Sequence, residues 1–448
     1  MDVTASVCPI CLGRIPARVE EIGARAWLVK NCPRHGDFRS LIWNGPPNYG
    51  FWRRPKNPTT PPVVHGSVRN GCPLDCGLCP DHRQRTCTIV LEVTGRCDLG
   101  CPYCYADAGK RPAPDPAVSQ IETMLRLGRD AAGDCHLQLS GGEPALRDDL
   151  PDIVRLARAN RFTFIQINTN GLRLARDLVF VRDIKAAGLE SVFLQFDGTT
   201  NQIYRKMRGR DLLKEKRLAI ENCGRCGLGV VLVPTIVPGV NTDDLGNIIQ
   251  TALDLSPVVR GVHFQPISWF GRFPGRIPTD ADRFTLPDLM RAIEEQTEGA
   301  FKAGHFRPPG CENALCSFNA NYLVLEGGGV RPLSPPQGSC CGAAPEDANE
   351  GAWRTISRVA RQWSAPKSRP PREPSPLPML SPINLDAFLD RARSHTLSVS
   401  AMAFQDAWNM DLERLRDCCI HVITPAGALI PFCAYNLTAA DGRRLYWS

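Results

Sequence analysis

No stretch of this chain approaches the roughly 18 consecutive apolar residues of a membrane span. The N-terminus, Met1-Asp-Val-Thr-Ala-Ser-Val-Cys8, has neither a basic n-region nor an apolar h-region, so no secretory signal is expected. There is no polybasic tract. The 53 Lys and Arg against 46 Asp and Glu give a net charge of +7, spread along the chain. That charge permits an anionic partner such as a phospholipid headgroup without arguing for one, and no nucleic-acid signature is evident. No internal repeat stands out beyond a strand–helix unit. With 448 residues, 43% hydrophobic and 22% charged, the chain has the composition of a soluble globular protein with one large domain plus additions.

What it has in abundance is cysteine: 20 residues, mostly in C-x2-C and C-x3-C clusters. In a large chain without a signal this points to metal binding in a reducing compartment rather than to disulfides, so a cytoplasmic location is expected, with membrane association left open. Between Thr88 and Gln296 strand and helix signals alternate. Strands are expected at 88–94, 135–140, 162–168, 191–196, 229–236 and 261–266, and helices at about 116–132, 147–160, 175–187, 201–223, 242–254 and 286–297. Six such pairs predict an α/β fold, a partial (β/α)6 barrel with its loops gathered at the strand C-terminal ends. A metal-ribbon module is expected at 1–54, an auxiliary cysteine segment at 63–87, the barrel at 88–300 and a cysteine-rich extension at 301–448. Pro55 to Pro62 reads as a linker, residues 364–382 as an exposed Pro/Ser-rich strap, and 383–395 as a helix.

The most informative stretch is Val93-Thr-Gly-Arg-Cys-Asp-Leu-Gly-Cys-Pro-Tyr-Cys-Tyr105. It follows the β-prone run Thr88-Ile-Val-Leu-Glu-Val-Thr94. Cys97, Cys101 and Cys104 can hold three irons of a 4Fe–4S cluster, leaving the fourth iron open to a small molecule. A zinc knuckle would want a fourth Cys or His close by, and the next thirty residues hold none. Ser140-Gly-Gly-Glu-Pro144 ends the second expected strand. Gly141 and Gly142 let the backbone approach a ligand, and Glu143 supplies an acceptor for an ammonium group. Asn168-Thr-Asn-Gly171 ends the third and reads equally as a polar turn or as part of a site. Gln195 and Asp197 end the fourth.

These motifs resemble those of the radical S-adenosylmethionine (SAM) superfamily. The resemblance implies that the open iron takes the amino and carboxyl groups of SAM, with Tyr103 as the aromatic residue before the third cysteine. It further implies that Gly141, Gly142 and Glu143 hold the SAM amino group, and that Gln195 and Asp197 bond the ribose. Tyr204 to Gly209 has the look of the family's fourth loop. Pro234 to Asn241 and His263 to Pro266 are expected near the adenine and substrate, with His263 a hydrogen-bonding wall residue.

The remaining cysteines form three sets. Cys8-x2-Cys11 and Cys32-x2-His35, twenty residues apart, make a tetrahedral one-metal site of zinc-ribbon or rubredoxin form, holding mononuclear zinc or iron. Cys72-x3-Cys76-x2-Cys79 reads as an auxiliary Fe–S site whose fourth ligand is His82, Cys87 or a distant cysteine. Cys311, Cys316, Cys340, Cys341, Cys418, Cys419 and Cys433 are further candidates for one or two auxiliary 4Fe–4S clusters, with one member of each adjacent pair expected to ligate. Cys135, Cys223 and Cys226 read as packing residues.

The order of these elements, including Asn70-Gly-Cys-Pro-Leu-Asp-Cys-Gly-Leu-Cys-Pro-Asp-His82, Asp406 to His421 and Ile430 to Asn436, resembles the archaeal tetraether lipid synthases. Relatives in that family are also labelled pterin methyltransferases. The resemblance implies a 5′-deoxyadenosyl radical that abstracts hydrogen from an unactivated C–H bond, of a lipid chain undergoing C–C coupling in the first reading. The alternative is methyl transfer to a pterin or other small molecule. Either needs a reductant such as ferredoxin or flavodoxin. A plain Fe–S electron carrier would have no use for the Gly141–Glu143 turn, and no cobalamin-binding domain is visible.

Overall fold

The computed structural model describes residues 2–54, 56–64, 66–109, 114–333, 346–366 and 385–446. The N-terminal strands β1 (Asp2–Val7), β2 (Arg14–Ile22), β3 (Arg25–Cys32) and β4 (Gly36–Asn44) form an antiparallel sheet in sequential order. This ribbon is seated on the rest of the molecule by buried polar contacts. The Lys30 ammonium donates to Ser6 Oγ (3.1 Å), Val7 O (2.8 Å) and Ala407 O (2.7 Å). The Trp27 indole donates to Asp280 (2.8 Å). Beyond it lies the short strand β5 (Lys56–Asn57), inside the stretch expected to be a linker. It pairs in parallel with β15 (Glu346–Asp347), so this segment is held rather than free.

The core contains β6 (Thr88–Thr94), β7 (His136–Gly141), β8 (Ile165–Thr169), β9 (Ser191–Gln195), β10 (Gly229–Val233), β11 (Thr235–Ile236) and β12 (Val259–Pro266). All the pairings from β6 to β12 are parallel and follow chain order. Period-two alternation explains the sheet. Leu137, Leu139, Ile165, Ile167 and Leu194 are fully buried in the main core, while the alternate positions Gln138, Ser140, Gln166, Asn168 and Gln195 line a central cavity. Helices cover the outer face. Val118–Ala132 buries Ile121, Met124, Leu125, Gly128, Ala131 and Ala132, an i, i+3, i+4, i+7 stripe. Each large apolar side chain in it stabilises by about 1.5–3 kcal/mol. Leu286–Gln296 starts at a capping box in which Thr285 N and Oγ both donate to Asp288 (2.9 and 2.6 Å).

The expected six strand–helix pairs are all present, but the boundary drawn at residue 300 does not divide the sheet. Strands β13 (Ser317–Val324), β14 (Val330–Pro332) and β16 (Thr396–Met402) continue it past β12, and β17 (Ile420–Ile423) and β18 (Leu429–Pro431) extend it past β6. The extension therefore closes both flanks of the half-barrel and walls its cavity. A helix occupies Leu385–Ser394. Most of the expected strap at 364–382, and separately Cys340 and Cys341, lie outside the described residues.

Candidate active site and metal centres

Strand β6 delivers the cysteine loop to the C-terminal edge of the sheet, and the loop after β7 is laced to its base. Gly142 N donates to Thr94 O and Glu143 N to Arg96 O, both at 2.8 Å. A β-carbon on Gly141 would collide with Thr94 O and one on Gly142 with Arg96 O, and Gly141 has φ +114, so glycine is required twice for this approach. Cys97, Cys101 and Cys104 line the same cavity as Gly141, Gly142 and Glu143. Burial, with the nearby Glu143 and Cys101 charges adding to it, pushes the Cys97 thiol up to about 12. Such a thiol stays protonated at neutral pH unless a metal displaces its proton.

Glu143 is 2% exposed. Its carboxylate accepts from Ala145 N (3.0 Å), Thr169 Oγ (2.7 Å) and Asn170 N (2.6 Å). Desolvation nevertheless raises it to about 7, so a bound cation would favour its charged form. Asn168 donates to Ser140 Oγ (3.1 Å), while its Oδ1 is buried without a partner. Gln195 lines the cavity and accepts from Lys216 Nζ (3.0 Å).

Asp197 is a correction. It is fully buried, both oxygens are taken by Arg208 at 2.7 Å, and it does not line the cavity. The ribose-binding expectation fails because the buried carboxylate needs a counter-charge more than the site needs another acceptor. Arg208 itself reaches the cavity wall and donates to Tyr103 O (3.4 Å). The structure also brings in residues the sequence did not flag. Arg272 donates to Cys101 O (2.6 Å) and Asp107 (2.9 Å) while its backbone pairs with Cys104. Tyr105 shares a 2.6 Å hydrogen bond with Ser140. Lys216, fully buried, also donates to Asn170 O (2.5 Å), and burial lowers it to about 8. Nothing in Ser268-Trp-Phe-Gly-Arg272 marks Arg272; a lysine on the buried stripe of a helix is the one signal that could have exposed Lys216.

The cavity holds about 880 Å3. Besides the cysteine triplet it is lined by Gln138, Gln166, Asn168, His263, Asn319 and Ser400. His263 is hydrogen-bonded to Ser400 (2.9 Å) as expected of a wall residue, and its ring lies 5.4 Å from Phe193 and 6.0 Å from Trp363.

In the ribbon, the ligand atoms of Cys8, Cys11, Cys32 and His35 all lie within 4.8 Å of one another. His35 Nδ1 is 3.5 Å from Cys8 Sγ and 3.4 Å from Cys32 Sγ, so all four expected ligands converge on one tetrahedral site. Cys72 interacts through its thiol with both Cys76 and Cys79, though the three sulfurs do not gather as closely as the ribbon ligands. Two of its three expected fourth ligands are engaged elsewhere: His82 bonds Cys418 O (2.8 Å), and Cys87 joins Cys311 and Cys419, with sulfurs within 4.8 Å. The sulfurs of Cys87 and Cys311 are in contact while their Cα atoms are 7.4 Å apart. That exceeds the usual disulfide span of about 4.4–6.8 Å, and with a third sulfur alongside it fits a shared metal better. Of the 418/419 pair, Cys419 is the member whose sulfur gathers with other candidate ligands. Cys419 faces Cys87 and Cys311, while Cys418 neighbours Cys316 and Cys433 beside Arg414. Cys135 and Cys223 are buried packing residues as read.

Residues 91–252 match the Radical SAM superfamily, and residues 1–44 match the HMPTM N-terminal zinc ribbon domain. The chain is 34% identical to a 7,8-dihydro-6-hydroxymethylpterin dimethyltransferase of Methanocaldococcus jannaschii, over 97% of this chain and 93% of that protein. It is 29% identical to a GTP 3′,8-cyclase of Paenarthrobacter nicotinovorans over 49% of this chain and 59% of the cyclase. Among solved structures, Streptococcus suis SuiB bound to precursor peptide SuiA is 14% identical with a TM-score of 0.40, covering 49% of this chain and 47% of SuiB. Enzymes of the superfamily work with SAM and a 4Fe–4S cluster, and three thiols beside a glycine cradle fit both. The chain belongs to the radical SAM superfamily, in the family of the pterin dimethyltransferase that it matches from end to end.

Proposed function

We propose that this enzyme methylates a C–H carbon of a compact, polar heterocycle of the pterin kind. The observation that carries the reading is the inner face of the barrel. Beyond the cysteine triplet it presents amides and hydroxyls, Gln138, Gln166, Asn168, Asn319 and Ser400, beside the rings of Phe193, His263 and Trp363. A planar ring with donors and acceptors at its edge is held by such a wall, and Asn168 Oδ1 is a buried acceptor still without a donor. The end-to-end likeness to a pterin dimethyltransferase supports the same substrate class.

In this reading Cys97, Cys101 and Cys104 hold the cluster, and Tyr103 packs at its edge. Gly141, Gly142 and Glu143 seat the SAM ammonium, Gln195, held by Lys216, faces the ribose, and Arg272 fixes the cysteine loop. When bound, the cluster and SAM supply a 5′-deoxyadenosyl radical at the cost of one electron from a reductant such as ferredoxin or flavodoxin. The chain's own part is to aim and shield: the flanking strands β13, β16 and β17 close the cavity around the reacting carbon.

The test is anaerobic reaction with SAM, a reductant and a hydroxymethylpterin, read by mass spectrometry. A pterin heavier by one methylene is expected, with one 5′-deoxyadenosine from the SAM that opens the C–H bond, one S-adenosylhomocysteine from a second SAM that gives the methyl, and two electrons drawn from the reductant. An unchanged pterin while a lipid is altered would refute it. Coupling of lipid chains is a second reading, carried by the cavity's volume of about 880 Å3. That is near the top of the usual range of about 300–1,000 Å3 for ligand pockets.

A further inference from the structure

Cys87, Cys311 and Cys419 form a sulfur group that the proposed chemistry leaves without a task. All three are buried, and their sulfurs lie within 4.8 Å of one another. All three also line the cavity that Cys97, Cys101 and Cys104 line. The fold sets the two groups at opposite edges of the sheet. Cys87 stands directly before β6 and the triplet follows β6, so seven residues of strand, roughly 20 Å, run between them. Cys419 stands directly before β17, which pairs in parallel with β6 so that Ile420 faces Thr88, and Cys87 N donates to Cys419 O (2.7 Å). Cys311 is brought to the same edge by Gln84, whose side-chain amide donates to its carbonyl (2.6 Å). Three distant parts of the chain thus deliver one thiol each to the strand N-terminal edge of the cavity. Among the described residues no fourth Cys or His gathers with them. His136 is close, since its N donates to Cys87 O (2.8 Å), but its Nε2 is bonded to Ile356 O (2.9 Å). Glu312 has one carboxylate oxygen 3.9 Å from Cys419 Sγ, while the other accepts from Ser317 Oγ (2.5 Å). Thiolates select zinc or iron–sulfur clusters. A structural zinc wants four protein ligands, whereas three thiols can hold a cluster and leave one iron open.

We propose that Cys87, Cys311 and Cys419 hold an iron–sulfur cluster whose one iron without a cysteine takes a ring nitrogen or carbonyl oxygen of the substrate, anchoring it at the cavity edge opposite the radical site. A pterin suits such an anchor because its ring edge sets a carbonyl oxygen and a ring nitrogen side by side, a pair that one metal can bind. A ring held there by one edge presents its other edge to the radical site. The bond to iron is a donated lone pair, so it forms and breaks with no electron transferred. The inference deepens the pterin reading and rests on it for the identity of the substrate.

The test uses the full chain, anaerobically reconstituted and reduced, and reads hyperfine coupling by electron–nuclear double resonance. Two labelled probes are used. Carbon-13 cyanide is given to the variant with Cys97, Cys101 and Cys104 all Ala, whose radical cluster is gone and cannot answer. Nitrogen-15 6-hydroxymethyl-dihydropterin is given to the wild type with S-adenosylhomocysteine present, which fills the SAM site without reacting. Both labels should couple to a reduced cluster. Both couplings should vanish when Cys87→Ala, or the milder Cys419→Ser, is added, with one cluster's iron lost and the ribbon zinc retained as the sign of an intact fold. Glu312→Gln should leave both couplings in place, because the carboxylate is not the ligand that the substrate replaces. If cyanide couples but calorimetry shows no pterin binding, the open iron stands and the pterin reading falls. If the pterin binds and no coupling to it appears, the anchor is overturned and the pterin reading stays. The anchor is equally overturned if neither probe couples, if the couplings survive both cysteine variants, or if those variants lose zinc instead of iron.

Discussion

Replacing Glu143 by Gln separates two properties that the wild-type carboxylate combines. In the folded protein burial raises this group from an ordinary 4.5 to about 7. Between those values the folded state holds more protons than the unfolded one, so stability falls as pH rises through the window and the loss is complete above about pH 7. A shift of this size corresponds to roughly 3 kcal/mol. Gln mimics the protonated acid and escapes that loss. Its amide adds one more N–H among the donors of Ala145, Asn170 and Thr169, which returns about 1 kcal/mol. At pH 8 the SAM-free variant should therefore be more stable by about 2 kcal/mol, a rise in thermal midpoint of roughly 4–8 °C for a core of this size. At pH 5 the advantage should shrink towards zero. SAM affinity should move the other way. Loss of a charge-assisted contact of about 1.5–3 kcal/mol weakens binding roughly 10- to 150-fold. Wild-type affinity should rise with pH up to about 7 and then level, while the variant shows no such rise. Thermal denaturation and calorimetric titration under anaerobic conditions measure both. A variant that binds SAM as well as wild type, or that is less stable at pH 8, would refute the role given to this carboxylate.

Asp197→Asn leaves Arg208 buried without its partner and should cost about 3–5 kcal/mol, read as a lower thermal midpoint. Cys32→Ser should remove one equivalent of zinc, measured by plasma emission, while leaving the iron content unchanged, because the ribbon's ligands are its own. Cys419→Ala should remove an iron–sulfur signal in electron paramagnetic resonance that Cys418→Ala leaves in place, since only Cys419 gathers with Cys87 and Cys311; equal loss in both variants would contradict this.

The barrel was legible because its signals are local. Each parallel strand is a short apolar run bounded by Gly, Asn or Pro, and each helix carries a 3.6-residue stripe, so every core element fell within a few residues of its expected place. The triplet at Cys97 and the glycines at 141 and 142 were legible for the same reason: spacing and backbone freedom are properties of a few consecutive residues. What sequence could not show depends on long-range approach. Asp197 looked like an open acceptor until Arg208 came to face it. Cys418 and Cys419 could not be told apart by sequence, and it is the fold that brings Cys419 to Cys87 and Cys311. The strands after residue 300 gave no sign that they would extend the core sheet on both edges, because pairing partners are not encoded in local pattern. The substrate reading shifted for a related reason. Only the assembled barrel reveals that its alternate positions present amides and hydroxyls within a lining that is otherwise largely apolar.

The central claim is that Cys97, Cys101 and Cys104 alone hold the cluster that cleaves SAM. The direct measurement is 5′-deoxyadenosine formation by anaerobically reconstituted protein with SAM and dithionite, comparing wild type with the variant in which all three cysteines are Ala. The account predicts turnover in the wild type and none in the variant, with one cluster's iron lost and the ribbon zinc and other clusters retained. Undiminished 5′-deoxyadenosine from the triple variant would contradict it.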